Sequence, residues 1–399
     1  MPPARHTVVT MMKDEGPFLL EWLAYHRLIG IDRVIVYSND CRDGTDAMLD
    51  RLEAMGLVRH RRNLVPAGRA PQPHALRLAS RDPDVLHSDW LAVMDADEFL
   101  HVKCGDGTLA ALTGAVPAGT TGIALTWRVM GSNGHVGWNP GPVLSSYTRG
   151  APDGFRKGWG VKTLVRPFEG MRLGIHRPRI AGMRRDPACL ARMEAMPWVN
   201  GSGQPMPPTF LRDGWRGSAA TVGYGLAEMA HFAVKSREAY LLRRDRGNVN
   251  LKPDKYDAAY FAIFDRNEVR HDGLTRFAAT VQAQSDDWLH SDPALAGLHA
   301  SNLAWHDERI ATLRARPDHA ATMAALERAA AVPYEALDTV LFTQPLPPRG
   351  KDMVAQMRAK GMPDAEIAAE VARSVRGLEA ARDAAERAEL VAMGVLPAS

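Results

Sequence analysis

Three acids follow a run of apolar residues in the segment WLAVMDADEF, residues 90–99, and could bind a metal ion. The apolar part predicts a buried β-strand, and the acids come where such a strand would leave the core. Asp95 and Asp97 would point to the same side, because side chains alternate along extended backbone. Paired carboxylates at the carboxyl edge of a sheet suit Mg²⁺ or Mn²⁺, and such an ion suits the phosphates of a nucleotide. The pattern also occurs by chance, so an acidic turn is the alternative.

Strand-like and helix-like segments alternate through the first hundred residues and would position these acids. Strands are predicted at residues 6–12, 33–37, 57–62 and 90–94, and helices at residues 16–29, 46–55 and 72–79. This alternation predicts right-handed crossovers and an α/β fold with a parallel, doubly wound sheet. The loops at the carboxyl ends of its strands should then meet at one ligand crevice.

Two more of these loops carry polar side chains. Residues 13–15 (KDE) follow the first strand, and Asp40 follows the second. The Asp40 carboxylate could accept the N3 hydrogen of uracil or a ribose hydroxyl. Capping of the next helix is the simpler role for Asp43 and Thr45. The basic run RHRR at residues 59–62 is typical of the solvated side of an edge strand rather than of a phosphate site.

Composition indicates a globular enzyme rather than a nucleic-acid-binding protein. The chain has 399 residues, of which 46% are hydrophobic and 24% charged, and its net charge is only +3. A chain of this length and composition can form one domain of about 250 residues with a buried core, together with additional segments. We therefore expect no nucleic-acid partner, because a dedicated binder concentrates basic residues on one face. The three widely spaced cysteines indicate neither a disulfide scaffold nor a zinc cluster.

The N-terminal residues lead directly into the first predicted strand and do not show an apolar signal core. The sequence also has no run of eighteen apolar residues, so we expect no transmembrane segment. These features predict a cytoplasmic protein.

Several ordered blocks in the first part of the chain resemble a known enzyme family. The blocks are residues 12–26, 37–45, 94–99, 127–135, 161–167 with the following His176, 230–236 and 243–247. In order and spacing they resemble family 2-like glycosyltransferases of the GT-A fold, in the branch that is similar to family 92 galactosyltransferases. The resemblance covers residues 6–250 and implies a Rossmann-like, mostly parallel sheet flanked by helices. It also favours the metal interpretation of the acids over a simple turn.

The resemblance implies a donor site for a nucleotide diphosphate sugar, usually with Mn²⁺ or Mg²⁺ bridging the diphosphate. Asp97 would be the direct metal ligand, while Asp95 would hold the ribose or reach the ion through water. Asp40 would contact the base, and Glu15 would line the same pocket. His231 would complete the metal shell, although a hydrogen-bonded core histidine is the alternative. The second choice for this ligand is His176.

Inverting transfer, which is common in this family, needs a base that takes the proton of the acceptor. The candidates are His135, Asp153, Asp213 and Glu228. We favour Glu228, because it lies beside the presumed metal-binding histidine, and we keep His135 as a further catalytic candidate.

Basic residues near the end of the resembling region could hold the diphosphate. Arg243 and Arg246 are three residues apart on a predicted helix, so they share one face and could grip this group. A solvated helix face explains their spacing equally well. Lys157 and Lys162 are weaker candidates for the same role.

The chain also departs from the family pattern. The first strand ends on KDE at residues 13–15 where Arg-Asn-Glu is usual, and Phe232 follows His231 where Tyr is usual. These changes leave the donor open. Residues 178–225 are rich in Gly, Pro and Met and predict an acceptor loop, with decoration without function as the alternative.

A helical region follows residue 250. Helices are predicted at residues 274–289, 302–315, 320–331, 351–360 and 364–393, with a proline-rich break at residues 344–350. In the last helix an apolar stripe is formed by Ile367, Val371, Val375 and Leu378. Such a stripe packs on its own domain or on a twin helix more often than on a membrane.

The sequence therefore predicts a GT-A domain at residues 1–250, a helical extension at 251–343 and C-terminal helices at 350–399. The predicted activity is transfer of a hexose such as galactose from a UDP-linked donor to a saccharide or glycolipid acceptor, in surface polysaccharide synthesis. Contact with the inner face of the membrane and a homo-oligomer through the C-terminal helices are further expectations. The alternative hypotheses are a non-catalytic nucleotide- or glycan-binding assembly module and a nucleotidyltransferase.

Overall fold

The computed structural model describes residues 5–247, 255–340 and 355–397. Its strands are β1 (His6–Met12), β2 (Arg33–Ser38), β3 (Arg59–Arg62), β4 (Trp90–Val93), β5 (Glu98–Val102), β6 (Gly122–Val129), β7 (Arg149–Gly150), β8 (Val161–Val165), β9 (Met171–Arg172), β10 (Arg179–Ile180), β11 (Trp198–Asn200), β12 (Ala227–His231) and β13 (Val269–Arg270).

The helices in the first 250 residues are α1 (Gly16–Leu28), α2 (Thr45–Ala54), α3 (Pro71–Ala79), α4 (Pro83–Leu86), α5 (Leu109–Ala115), α6 (Val143–Ser146), α7 (Pro187–Glu194), α8 (Pro208–Asp213) and α9 (Arg237–Arg246). Those that follow are α10 (Ala258–Phe264), α11 (Ala278–Ser291), α12 (Pro293–Arg314), α13 (His319–Ala330), α14 (Tyr334–Val340), α15 (355–359) and α16 (Asp364–Ala392).

A nine-stranded mixed sheet forms the centre of the fold. Its strand order is β3-β2-β1-β4-β8-β6-β12-β5, and β11 pairs with the first half of β6. The strands are parallel except for β8 and β5, which run against their neighbours. The predicted α/β class, with a mostly parallel sheet flanked by helices and a helical C-terminal region, is therefore confirmed. Two strands depart from the parallel arrangement: β8 runs antiparallel to β4 and β6, and β5 runs antiparallel to β12.

The carboxyl ends of β1, β2 and β4 lie side by side at one edge of the sheet. Met12 is level with Ser38, and Val9 is level with Val93. The loops that follow these strands carry Glu15, Asp40, Asp95 and Asp97, so the sheet brings the predicted loops to one edge as expected. Left-handed backbone, which is rare for residues other than glycine, occurs at this edge in Asp14, Asp40 and Lys235.

Helix α1 ties the sheet to the acidic segment. Its Trp22 and Tyr25 are fully buried, the indole N–H of Trp22 donates to the Glu98 carbonyl at 2.9 Å, and the Tyr25 hydroxyl donates to the Leu100 carbonyl at 2.6 Å. Buried aromatic rings contribute much apolar area, and their polar atoms need partners in the core. These two hydrogen bonds attach the start of β5 to α1, and they thereby fix the acidic segment at residues 95–98.

The helical extension packs directly on the sheet domain. Helix α12 contacts α1, α2 and α9, and its Asn302 side chain donates to the Asp43 carbonyl at 2.9 Å. The predicted helix start at residue 302 is wrong, because α12 begins at Pro293 with Asp292 accepting from the backbone N–H of Leu295. An acidic cap followed by proline is a helix-start signal.

Residues 178–225 are packed rather than open. They include β11, which joins the main sheet, and buried side chains such as Trp198 and Phe210. The role of this segment in acceptor binding stays a prediction.

The C-terminal helix α16 contacts the same region. Its Glu389 side chain accepts from Thr209, and its Ile367 and Leu390 are buried. The side chains of Val371, Val375 and Leu378, and the predicted break at 344–350, lie outside the described residues. Among the helices that are described, none combines the length and apolarity needed to cross a membrane.

We predict that Gly122→Ala destabilises the protein by roughly 1–3 kcal/mol, because a Cβ there would lie 2.3 Å from the Trp198 ring. The close approach of β11 to β6 leaves no room for a methyl group. Thermal or urea unfolding measures this change.

The matched control is Gly114→Ala in α5, where nothing lies within 4 Å of an added Cβ. This variant should be more stable by about 0.5–1 kcal/mol, since alanine restricts the unfolded chain and favours the helix. Equal effects of the two substitutions would contradict the packing of β11 described here.

Candidate active site

Asp97, His231 and Arg243 form the centre of the candidate site. Asp97 is buried in the turn between β4 and β5, and its Oδ2 accepts from the Arg243 guanidinium and lies 3.6 Å from His231 Nε2. Burial alone would raise the pKa of Asp97, but Arg243 and His231 hold it well below its ordinary value. The carboxylate is therefore ionised, and the structure brings Asp97 and His231 together, while their role as metal ligands stays a prediction.

Asp95 lies on the same edge but is held by other residues. Its Oδ1 accepts from Gln72 at 2.9 Å, and its Oδ2 lies 3.0 Å from the Lys162 ammonium. Burial opposes ionisation, yet Lys162 lowers the pKa of Asp95 below its ordinary value. One third of the Asp95 side chain remains exposed, so it can still reach a ligand.

Glu98 contacts the residues that surround Asp95. Its carboxylate accepts from the Trp127 indole at 2.7 Å and from the Asp95 backbone N–H at 2.7 Å, and it lies 3.2 Å from Lys162. Burial raises the pKa of Glu98 to about 7 despite the lowering effect of Lys162. Glu98 thus orients Trp127 and the Asp95 backbone rather than facing a ligand.

Sequence reasoning assigned too small a role to Lys162. This side chain is fully buried in β8, between Asp95 and Glu98. The signal was present in the strand VKTLV, because a lysine inside a strand buried on both faces requires a carboxylate partner.

Arg246 and Glu15 extend the site toward α1. The Arg246 guanidinium donates to the Glu15 carboxylate and, at 2.8 Å, to the Lys13 carbonyl. Both residues line a cavity together with Arg243 and the buried Lys235. Arg243 and Arg246 both reach loops at the carboxyl edge of the sheet, and their binding of a diphosphate stays a prediction.

Asp40 lies in a neighbouring groove rather than in this cavity. Its side chain is exposed and lines the groove with Asn39, Asn63 and Arg62. Its predicted contact with the base stays a prediction. Arg62 in the edge strand β3 pairs with acids of α2, and Asp43 bonds to Thr45 at the start of that helix.

Glu228 does not belong to the Asp97 cluster. It lies three residues before His231 in β12 and therefore points to the other face of the strand. There it contacts His101 at 3.0 Å, Lys103 at 2.8 Å and Arg128 at 3.2 Å. Burial would raise the pKa of Glu228, but these three groups lower it to about 2. We therefore correct the expectation that Glu228 is the base, because such a carboxylate is a weak proton acceptor and serves the fold.

The other candidates for the base are placed elsewhere. His135 is exposed, and the contacts of its ring are with the Ser146 carbonyl at 3.2 Å and with Tyr147. Asp153 is exposed and paired with Arg128 at 2.7 Å. The Asp213 side chain lies outside the described residues. The structure thus does not bring His135 or Asp153 to the cluster.

His176, the second choice for a metal ligand, also lies apart from Asp97. It bonds to the Val161 carbonyl at 3.1 Å and packs between the rings of Trp127 and Trp215. Burial lowers the pKa of His176 to about 3, so the ring is neutral. Trp127 separates it from His231.

The donor set partly fits a divalent cation. Asp97 Oδ2 and His231 Nε2 are close enough to bind one ion, because two ligands at about 2.1 Å from a metal can lie up to roughly 4 Å apart. Within the described residues no group of three or more His, Cys, Asp and Glu side chains is arranged to hold a metal ion. Arg243 shares the same Asp97 oxygen and would compete with the cation.

Part of the sequence is similar to curated glycosyltransferase family 92 proteins. One from Ricinus communis is 32% identical over 106 residues, which are 26% of this chain and 18% of the relative. One from Oryza sativa subsp. japonica is 31% identical over 102 residues, which are 26% of this chain and 17% of the relative. The match thus spans less than a fifth of each relative. These relatives confirm the resemblance to the family 92 branch.

No protein-family model matches the chain. Among solved structures, it is similar to glucosyl-3-phosphoglycerate synthase from Mycobacterium tuberculosis in complex with Mn²⁺, UDP and glucosyl-3-phosphoglycerate. The sequence identity is 19%, the TM-score is 0.23, and the match covers 31% of this chain and 44% of the other. The complex of that enzyme with Mg²⁺ and UDP matches at 17% identity with a TM-score of 0.22, over 31% of this chain and 44% of that one.

We predict that Glu228→Gln lowers the free energy of unfolding by roughly 3 kcal/mol at pH 7, because three basic groups lose their buried partner. The folded-state pKa is lowered from 4.5, so the stabilisation is present above pH 4.5 and is lost as the pH falls toward 2. Urea unfolding of both proteins at pH 7 and pH 3.5 should show a smaller difference at the lower pH. A difference that does not depend on pH would contradict the ionised state assigned to Glu228.

We also predict that Arg243→Gln tightens Mn²⁺ binding by about fivefold or more, since it removes a cation that competes for the Asp97 carboxylate. Isothermal titration calorimetry with Mn²⁺ alone measures the affinity.

The matched control is Arg244→Gln, which removes the same charge from an exposed position on the same helix. It should leave the affinity for Mn²⁺ nearly unchanged. An equal change in both variants would indicate a general charge effect, and a weaker affinity in Arg243→Gln would contradict the competition.

Proposed function

We propose that this chain is a glycosyltransferase that transfers a hexose from a UDP-linked donor to a saccharide or glycolipid acceptor. The observation that supports this most directly is the placement of Asp95, Asp97, His231 and Arg243 at the carboxyl edge of the sheet. Ligands of open α/β sheets bind at this edge. Part of the sequence is similar to proteins named as glycosyltransferases of family 92, and this similarity supports the same function as the placement of the four side chains.

In the proposed reaction the oxygen of an acceptor hydroxyl forms a bond to the anomeric carbon of the donor sugar, and the proton of that hydroxyl passes to solvent water. The bond from that carbon to the diphosphate breaks, and the nucleoside diphosphate leaves with the electron pair. Asp97 and His231 would hold a divalent cation, with Asp95 in support. A bound cation supplies Lewis-acid stabilisation of the negative charge that develops on the diphosphate.

The basic residues of the site would act on the same negative charge. Arg243, Arg246 and Lys235 lie around the cavity lined by Glu15, and their cationic side chains can bind the diphosphate. Burial lowers the pKa of Lys235, whereas the charges of Tyr256 and Asp97 raise that of Arg243 against the effect of burial. Arg243 therefore keeps its positive charge over a wider pH range than Lys235 does. Its release from Asp97 would allow it to turn toward the donor.

The finer assignments belong to the same proposal. They include a role in bacterial surface polysaccharide synthesis, a cytoplasmic location with contact at the inner face of the membrane, and a homo-oligomer through the C-terminal helices. In α16, Glu386 accepts from Ser218 and Glu389 accepts from Thr209, so one face of the helix already packs on its own chain. Oligomer contacts would therefore use its other face.

We predict that Asp97→Asn reduces turnover of UDP-hexose by about 100-fold or more, because it removes a charge that holds the cation and Arg243. The assay incubates the chain with UDP-galactose or UDP-glucose and Mn²⁺ and measures the released UDP. The control is Asp287→Asn on the exposed face of α11, which should retain activity. Asp95→Asn should also reduce turnover. Because the Asp95 side chain is partly exposed, this second variant tests the site without removing a fully buried charge.

The identity of the released product separates the alternatives. A nucleotidyltransferase would release pyrophosphate from a nucleoside triphosphate, whereas a glycosyltransferase releases a nucleoside diphosphate. Binding of UDP-sugars without any turnover would indicate an assembly module. Full activity of Asp97→Asn would contradict the site proposed here.

A further inference from the structure

A second groove opens beside the candidate active site. It has a volume of about 490 Å³, within the range of about 300–1,000 Å³ that is usual for ligand pockets, and is lined by Pro73, Ile175, His176, Trp215 and the arginines of the β9–β10 hairpin.

Two chain connections place this groove next to Asp95. Pro73 follows Gln72, which donates to the Asp95 carboxylate. The Trp215 carbonyl accepts from the backbone N–H of Val161 at 3.0 Å, and Val161 precedes Lys162, the other partner of Asp95. The groove is therefore lined by Pro73 and Trp215, which are linked through the backbone to Gln72 and Lys162, the two residues that position Asp95.

A row of rings joins the groove to the cluster around Asp97. The Trp215 ring lies 4.7 Å from His176, His176 lies 5.3 Å from Trp127, and Trp127 lies 4.7 Å from His231. Trp215 is 37% exposed, although large aromatic side chains contribute most stability when buried. The row therefore ends in an aromatic surface that is open to a ligand.

Two arginines face each other beside this aromatic surface. Arg172 in β9 is directly opposite Arg179 in β10, and both are exposed. Like charges at directly opposite positions of an antiparallel pair destabilise the hairpin. In the described part of the chain, neither guanidinium has an ion-pair or side-chain hydrogen-bond partner. The fold does not explain this pair of charges, but an anion between them would.

We propose that this groove is the acceptor subsite and binds a saccharide whose sugar ring carries an anionic group, a carboxylate or a phosphate. The apolar face of the sugar packs on the Trp215 ring, and Arg172 and Arg179 bind the anion. A guanidinium pair matches the oxygens of both groups. The inference rests on the proposed glycosyltransferase function for the meaning of acceptor, but binding in the groove can be tested by itself.

The test compares three small probes in saturation-transfer NMR titrations of the full chain. Methyl β-glucuronide and methyl β-glucoside have the same ring and differ only in the carboxylate, and glucose 1-phosphate carries a phosphate instead. We expect the wild type to bind at least one anionic probe about fivefold more tightly than the glucoside at low salt. The difference should decrease as salt is added.

Variants separate the charge from the ring. The double change Arg172→Gln with Arg179→Gln should abolish the preference for the anionic probe, whereas Arg81→Gln at another exposed site should keep it. Trp215→Ala should weaken binding of all probes at least threefold, and Trp215→Phe should restore most of it. Each variant is also titrated with UDP and Mn²⁺, and all should bind this donor product as the wild type does.

The outcomes are distinguishable. Equal affinity of the wild type for the three probes, or an anion preference that survives in the double variant, would overturn the proposal. Preference for the glucuronide identifies a carboxylate, and preference for glucose 1-phosphate identifies a phosphate. If the wild type does not bind UDP but its anion preference depends on both arginines, the proposed function fails while the groove remains an anionic saccharide site.

Discussion

Opposite charges held together at the carboxyl edge of the sheet are the interaction on which the candidate active site depends. Asp97 is paired with Arg243 on α9, and Asp95 is paired with Lys162 on β8. Removing one member of such a pair leaves the other with a buried charge that lacks its partner. The same side chains thus hold β4, β8 and α9 together and present charge to a ligand, so folding and binding share their residues.

Local sequence patterns predicted the elements that place the acids. The bounds of β1 at residues 6–12 are those observed, and α1 differs from its prediction by one residue. Apolar alternation and glycine stops are local signals, so they identify elements without knowledge of the contacts. The meeting of Asp97 and His231 was predictable only through the resemblance, because 134 residues separate them in the sequence.

Glu228 and Lys162 were misjudged, the first for a local reason and the second for a long-range one. Glu228 lies close to His231 in sequence, but the alternation of β12 turns it to the other face, where it meets Arg128 and Lys103. Lys162 was undervalued because only the strand order shows that it lies between Asp95 and Glu98. The error about Lys162 follows from the geometry of a sheet, in which neighbours in space come from distant parts of the chain.

The antiparallel direction of β8 has a consequence for how the groove and the candidate active site are divided between parts of the chain. Because β8 runs against β4 and β6, its first residues lie at the edge where its neighbours end. The hairpin and the Trp215 segment attached to it form one stretch of chain, whereas the turns around Asp97 and Glu15 come from another. Sequence changes confined to residues 171–179 would therefore reshape the groove without altering the turns that carry Glu15 and Asp97.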